Sequence, residues 1–125
     1  MKAEIKSHMI IDDFFISPEE YVPNDRFTFN IGFTFDIGIT GQDGSNIFNV
    51  NISNKCHQKE EIYFYKDISF RYGCIQMEYY DYEKIIKAIK KYIDNINVNN
   101  WDDIVNELRK VFKWEFENYS NIKVT

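Results

Sequence analysis

Strict alternation dominates the centre of the chain. Phe27, Phe29, Ile31, Phe33, Phe35, Ile37 and Ile39 hold odd positions, and Thr28, Asn30, Gly32, Thr34, Asp36, Gly38 and Thr40 fill the even ones. A period of two sustained this long predicts one long antiparallel strand over 27–40, with its odd side chains buried. Gly32 and Gly38 are candidate bulges or bends. Gly41-Gln42-Asp43-Gly44-Ser45 reads as a hairpin turn; Phe48, Val50 and Ile52, alternating with Asn49, Asn51 and Ser53, give the return strand. Residues 2–9 also alternate, with Ala3, Ile5, Ser7 and Met9 on one face and Lys2, Glu4, Lys6 and His8 on a wet one. Residues 10–26 break the pattern with turn chemistry: Asp12-Asp13, Ser17-Pro18-Glu19-Glu20 and Pro23-Asn24-Asp25. Residues 54–61 are a polar loop, and Ile62–Ile68 and Tyr72–Tyr79 read as two more strands.

At Asp81 the period becomes helical. Tyr82, Ile85, Ile86, Ile89, Ile93 and Ile96 share a face, and Lys84, Lys87, Lys90 and Lys91 lie mostly opposite. Asp81 suits the N-cap and Glu83 the first turn. A second helix follows Asn99-Asn100, with Asn100 as cap, Asp102 and Asp103 in the first turn, and Trp101, Ile104, Val105, Leu108 and Val111 inside. Residues 112–119 fit strand or helix; the aromatics around Trp114 and Phe116 favour a short last strand. Strands first and helices after imply an α+β domain: an antiparallel sheet of about five or six strands with two C-terminal helices packed on one face. The 125 residues are read as a single domain, 1–125, large enough to sustain its own core.

Composition adds to this picture. Nineteen Ile, eleven Phe and nine Tyr stand against one Leu and two Ala. That skew favours sheet, although AT-rich codons push the same way. The formal net charge is −5, which repels nucleic acid and anionic membranes and draws basic partners. No apolar run approaches the ~20 residues of a membrane span, and the N-terminus has no signal core. Two cysteines make no disulfide framework. The expectation is a cytoplasmic protein with Cys56 and Cys74 as free thiols.

No chemical motif emerges. Cys56-His57 with Cys74 lacks the four-ligand spacing of a zinc site, and His8 falls on the polar face of its strand. No nucleophile sits beside a base, and Gly41–Gly44 lacks the lysine and following helix of a phosphate-binding loop. A non-enzyme without cofactor or metal is expected. Adjacent carboxylates diverge rather than converge in a cleft, so they read as solvated charge or as an acidic recognition surface. Its candidates are Asp12, Asp13, Glu19 and Glu20 in the first long loop, and Asp102, Asp103, Glu115 and Glu117 near the end. Charge is segregated: residues 1–25 hold two Lys against six carboxylates, net −4, and residues 82–97 hold four Lys against two, net +2. Tyr79-Tyr80-Asp81-Tyr82-Glu83 suits either a half-buried corner or a binding surface.

Several stretches together resemble the immunity protein 8 family of bacterial polymorphic toxin systems. They are Met1–Ser7, Gly41–Val50, Tyr80–Ile85, Ile89–Ile93, Trp101 and Trp114–Tyr119, in collinear order along nearly the whole chain. None is a chemical motif, and Ile52–Ser69 matches least. The resemblance implies a cytoplasmic protein that binds and blocks the effector domain of a cognate toxin, as in contact-dependent inhibition, with no nucleic-acid or membrane partner. Many such toxins are basic nucleases, in keeping with the acidic balance. The alternatives are a small ligand-binding or enzymatic α+β domain with a site these patterns do not reveal, and a structural subunit of a larger assembly.

Overall fold

A computed structural model of the chain describes residues 1–117. Seven strands form one sheet: β1 (Ala3–Ile10), β2 (Asn30–Ile39), β3 (Asn46–Ser53), β4 (Tyr63–Tyr65), β5 (Ile68–Arg71), β6 (Cys74–Gln76) and β7 (Lys113–Trp114). Two helices, α1 (Tyr82–Asp94) and α2 (Trp101–Leu108), precede β7. The order across the sheet is β1-β2-β3-β6-β5-β4, with β7 paired to β3 as well. The fold is α+β as the periodicity predicts, with one departure from a wholly antiparallel sheet: β6 runs parallel to β3. The β4–β5 excursion lies between β3 and β6 in sequence, and β5 returns antiparallel into β6, so β6 reaches β3 in the parallel sense.

Register explains the core. Ile31, Ile52, Ile75, Phe70 and Tyr63 oppose one another in turn across five strands, and paired positions share a face. Phe33, Phe35, Ile37, Phe48 and Val50 extend that face, and all are buried. Ile85, Ile89 and Ile93 of α1 and Ile104 and Leu108 of α2 close over it, with Phe112 edge-on to Phe35 at 6.0 Å. α1 touches both edge strands, β1 and β4, so the sheet curls around this helix. Asp81 and Asn100 cap the helices as expected, their side chains accepting from the Lys84 and Asp103 amides.

Four expectations are corrected. The strand expected over 27–40 begins only at Asn30. Thr28 N–H turns back to the Asp25 carbonyl, which leaves Phe27 60% exposed, and Ile39 is only half-buried. In β1 the register slips between Ile5 and Ser7, which inverts the later side chains. His8 and Ile10 turn inward opposite Phe35 and Phe33, and Ser7 and Met9 face out. The stretch 62–68 is two strands joined by a tight turn at Lys66-Asp67, with Lys66 at φ 55°, and 72–79 shortens to β6. Cys56 and Cys74 are not free: they form a disulfide with Cα atoms 5.9 Å apart. The loop after β3 doubles back over β6, where the Cys56 amide donates to Gln76 Oε1 and Arg71 Nη1 to the Gln58 carbonyl. At the chain end, Lys113–Trp114 is the short strand expected, opposite Phe48 and Asn49; residues 118 and 119 lie outside the described residues.

Candidate functional site

The link between β1 and β2 is the longest irregular segment, and its geometry is specific. Ile11 N–H donates to the Gly32 carbonyl and Asp13 N–H to the Ile10 carbonyl, which turns the chain sharply. Farther on, the Ser17 carbonyl accepts from the Glu20 and Tyr21 amides. Pro18 and Pro23 are buried, and the Tyr21 ring packs edge-on to Tyr80 at 6.3 Å. Arg26 fastens the far end: its Nη1 donates to the Tyr80 carbonyl and its carbonyl accepts from the Tyr80 amide, both at 2.8 Å. The tyrosine cluster therefore divides. Tyr80 is a buried corner, its hydroxyl pushed up to about 12 by burial. Tyr79 stays 45% exposed, against Phe27 at 4.9 Å and under the Arg26 guanidinium.

A second clasp joins the loop to α1. The Tyr82 hydroxyl lies 2.7 Å from His8 Nε2 and donates to Glu19 Oε1 at 3.2 Å. His8 lies near-parallel to the Phe35 and Tyr82 rings, with centroids at 5.7 and 6.0 Å, and burial holds its pKa below the usual 6.5, against the opposing pull of Glu19. Burial and the Glu19 carboxylate raise the Tyr82 hydroxyl. A nucleophilic or basic tyrosine needs the opposite shift, so this arrangement is suited to holding the loop in place.

The eight acidic candidates fall into two groups at opposite ends of the molecule. Asp12, Asp13, Glu19 and Glu20 lie in the β1–β2 loop, where Asp12, Glu19 and Glu20 are exposed and Asp13 is half-buried. Among the described residues, Asp12, Asp13 and Glu20 have no cation or hydrogen-bond donor on their carboxylates. Asp102 and Asp103 lie on the first turn of α2, beside Trp101, whose indole donates to Asn46 Oδ1. Asn46 opposes Ile37 near the other end of β2, a strand of ten residues that spans roughly 30 Å. Glu115 and Glu117 are engaged within the molecule. Glu115 accepts from the Ile47 amide at 2.9 Å, and Glu117 forms a bidentate pair with Arg109 at 2.6 and 2.7 Å.

Up to Arg26 the loop carries charge of one sign. Residues 11–25 hold five carboxylates and no Lys, Arg or His. Apolar side chains accompany them: Phe14 is 61% exposed and Phe15 fully so. Sequence reading found the carboxylates but passed over these aromatics, which interrupt no alternation and sit in a segment that reads as turn. A groove of about 480 Å³ borders the same end, lined by Phe27, Asn54, Asp67, Gln76, Met77 and Glu78. Among the described residues no group of three or more His, Cys, Asp or Glu is placed to hold a metal ion, and no helix is long and apolar enough to cross a membrane.

The family model described as Immunity protein 8 matches residues 3–119. No curated protein matches the chain, and no solved structure does. The match runs from the first residue of β1 to beyond β7 and so takes in both helices and the acidic loop. The chain belongs to the immunity protein 8 family.

Proposed function

We propose that this protein binds the effector domain of a cognate toxin in the bacterial cytoplasm and neutralises it by occupation, as a single domain with no catalytic activity or cofactor of its own. Family membership supports the immunity role. The observation that carries the choice of surface is the β1–β2 loop, with five carboxylates and no cation over residues 11–25, fastened to the core at both ends. A fixed field of one sign speeds encounter with an oppositely charged partner. The partner is therefore a basic domain, as a nuclease that grips phosphates would be, and Asp12, Asp13, Glu19 and Glu20 face it. Asp102 and Asp103 lie toward the other end of β2, on α2, and are left outside this contact surface. Glu115 and Glu117 are already spent.

The test is co-expression with the effector domain encoded beside the gene. Protection of the host and co-purification of the two proteins are expected; failure of both overturns the reading. Reversal of Asp12, Asp13 and Glu20 to Lys should slow association at least about tenfold at low salt, and the difference should shrink in high salt as screening shortens to a few ångströms. Glu19 is left in place because it holds the loop through Tyr82. An association rate unchanged at low salt would move the interface elsewhere.

A further inference from the structure

Resting on that reading, we infer that Phe14-Phe15-Ile16 is the anchor of the interface: an apolar tip that enters a pocket of a basic protein partner, with the surrounding carboxylates as its polar rim. The three side chains are 61%, 101% and 39% exposed. A weakly packed loop does not account for this. The same loop buries Pro18 and Pro23, packs Tyr21 on Tyr80, closes a turn on the Ser17 carbonyl and ties Glu19 to Tyr82. Of its other apolar residues Pro18 and Pro23 are buried, Ile11 and Tyr21 are half-buried and Val22 stands alone at the surface, while Phe14, Phe15 and Ile16 follow the turn at Ile10–Asp13 as a contiguous exposed run.

A phenylalanine offers about 150–250 Å² of surface with few rotamers to freeze, and interfaces concentrate their binding energy in such anchors inside a ring of polar contacts. The fastened loop has already lost most of the entropy that binding would otherwise cost.

Charge decides among the possible occupants. Asp12, Asp13, Glu19 and Glu20 flank the tip on both sides, and no cation occurs between residues 11 and 25. An anionic membrane would repel such a tip. A second copy of the chain would oppose like charge to like charge. A basic protein surface with an apolar recess satisfies both the tip and its rim.

The test uses the full chain and the effector domain encoded beside its gene. Phe15→Ser should raise Kd at least about 30-fold, chiefly through faster dissociation, with the association rate and its salt dependence nearly unchanged. Phe14→Ser should act in the same direction. Both residues are mostly or fully exposed, so the melting temperature should stay at the wild-type value and any loss of binding is not a loss of fold. If the wild type binds and Phe15→Ser binds equally well, the anchor is overturned while the acidic interface stands. If the wild type does not bind, the proposed function falls and the anchor with it. A wild-type dimer that Phe15→Ser converts to monomer, or vesicle binding that the same change abolishes, would also overturn the assignment, in favour of self-association or a lipid surface.

Discussion

The His8 imidazole is held at a boundary, near-parallel to the Phe35 and Tyr82 rings and with its Nε2 on the Tyr82 hydroxyl. Its pKa lies below 6.5 because burial disfavours the cation; Glu19 opposes this and Lys90 of α1 adds to it. The sign follows from proton uptake. As pH falls below about 6.5 the unfolded chain takes up a proton that the folded chain resists, so the stability from neutral His8 is complete above that pH and is lost as pH drops through the folded pKa. Glu19 adds a separate, lower window, since backbone hydrogen bonding and the Tyr82 hydroxyl hold it below 4.5. Urea midpoints at pH 7.5 and 5.5 check the first window. The wild type should lose more stability across the interval than His8→Gln; equal losses would place the titrating group elsewhere.

At the scale of elements, the β3-to-β6 excursion is held by covalent and polar ties together. The Cys56–Cys74 bridge closes a separation of 18 residues, and Arg71 reaches Gln58 and Glu61 across the same loop. A loop of that length restrains the unfolded chain by about 3 kcal/mol. Reducing agents keep most cytoplasmic thiols apart, so the proposed location requires a fold that stands without the bridge. The row from Ile31 to Tyr63 and the two helices over it add strand pairing and core packing to whatever the bridge supplies. Dithiothreitol should lower the melting temperature by about 10 °C, and Cys56→Ser with Cys74→Ser should do the same, with the far-ultraviolet circular dichroism retained. Loss of that signal at 37 °C in the reduced protein would contradict a cytoplasmic role.

Over the whole molecule, charge is polarised. The acidic loop occupies one end, while Lys84, Lys87, Lys90 and Lys91 are exposed along α1. Lys84 is partly neutralised by Asp67 at 3.4 Å. A basic effector domain steered to the loop is repelled by the helix, so Lys87→Glu and Lys91→Glu should leave its association rate unchanged or raise it, measured by stopped flow at low salt. A clear fall would assign the helix face to an acidic partner. The molecule thus separates its tasks: a curled sheet and two helices make the scaffold, and one long connection carries the proposed recognition surface.

Particular residues mark where sequence sufficed. The odd residues from Phe29 to Ile37, the helical stripes, both N-caps and the short last strand were legible, because each depends on local spacing and on neighbours a few positions away. The acidic loop was legible as charge. Tertiary structure alone decided what depends on partners far along the chain. A one-residue slip in β1 put His8 against Phe35. The fold of the β3–β6 excursion brought Cys56 to Cys74. Gly38 reads as a bend, yet its constraint is contact: a Cβ there would collide with the Gly44 carbonyl oxygen across the hairpin. The surroundings of the loop likewise determined which of its apolar residues were buried and which, Phe14, Phe15, Ile16 and Val22, were left facing outward. Period and capping are properties of a segment; register, pairing and exposure depend on what a segment packs against.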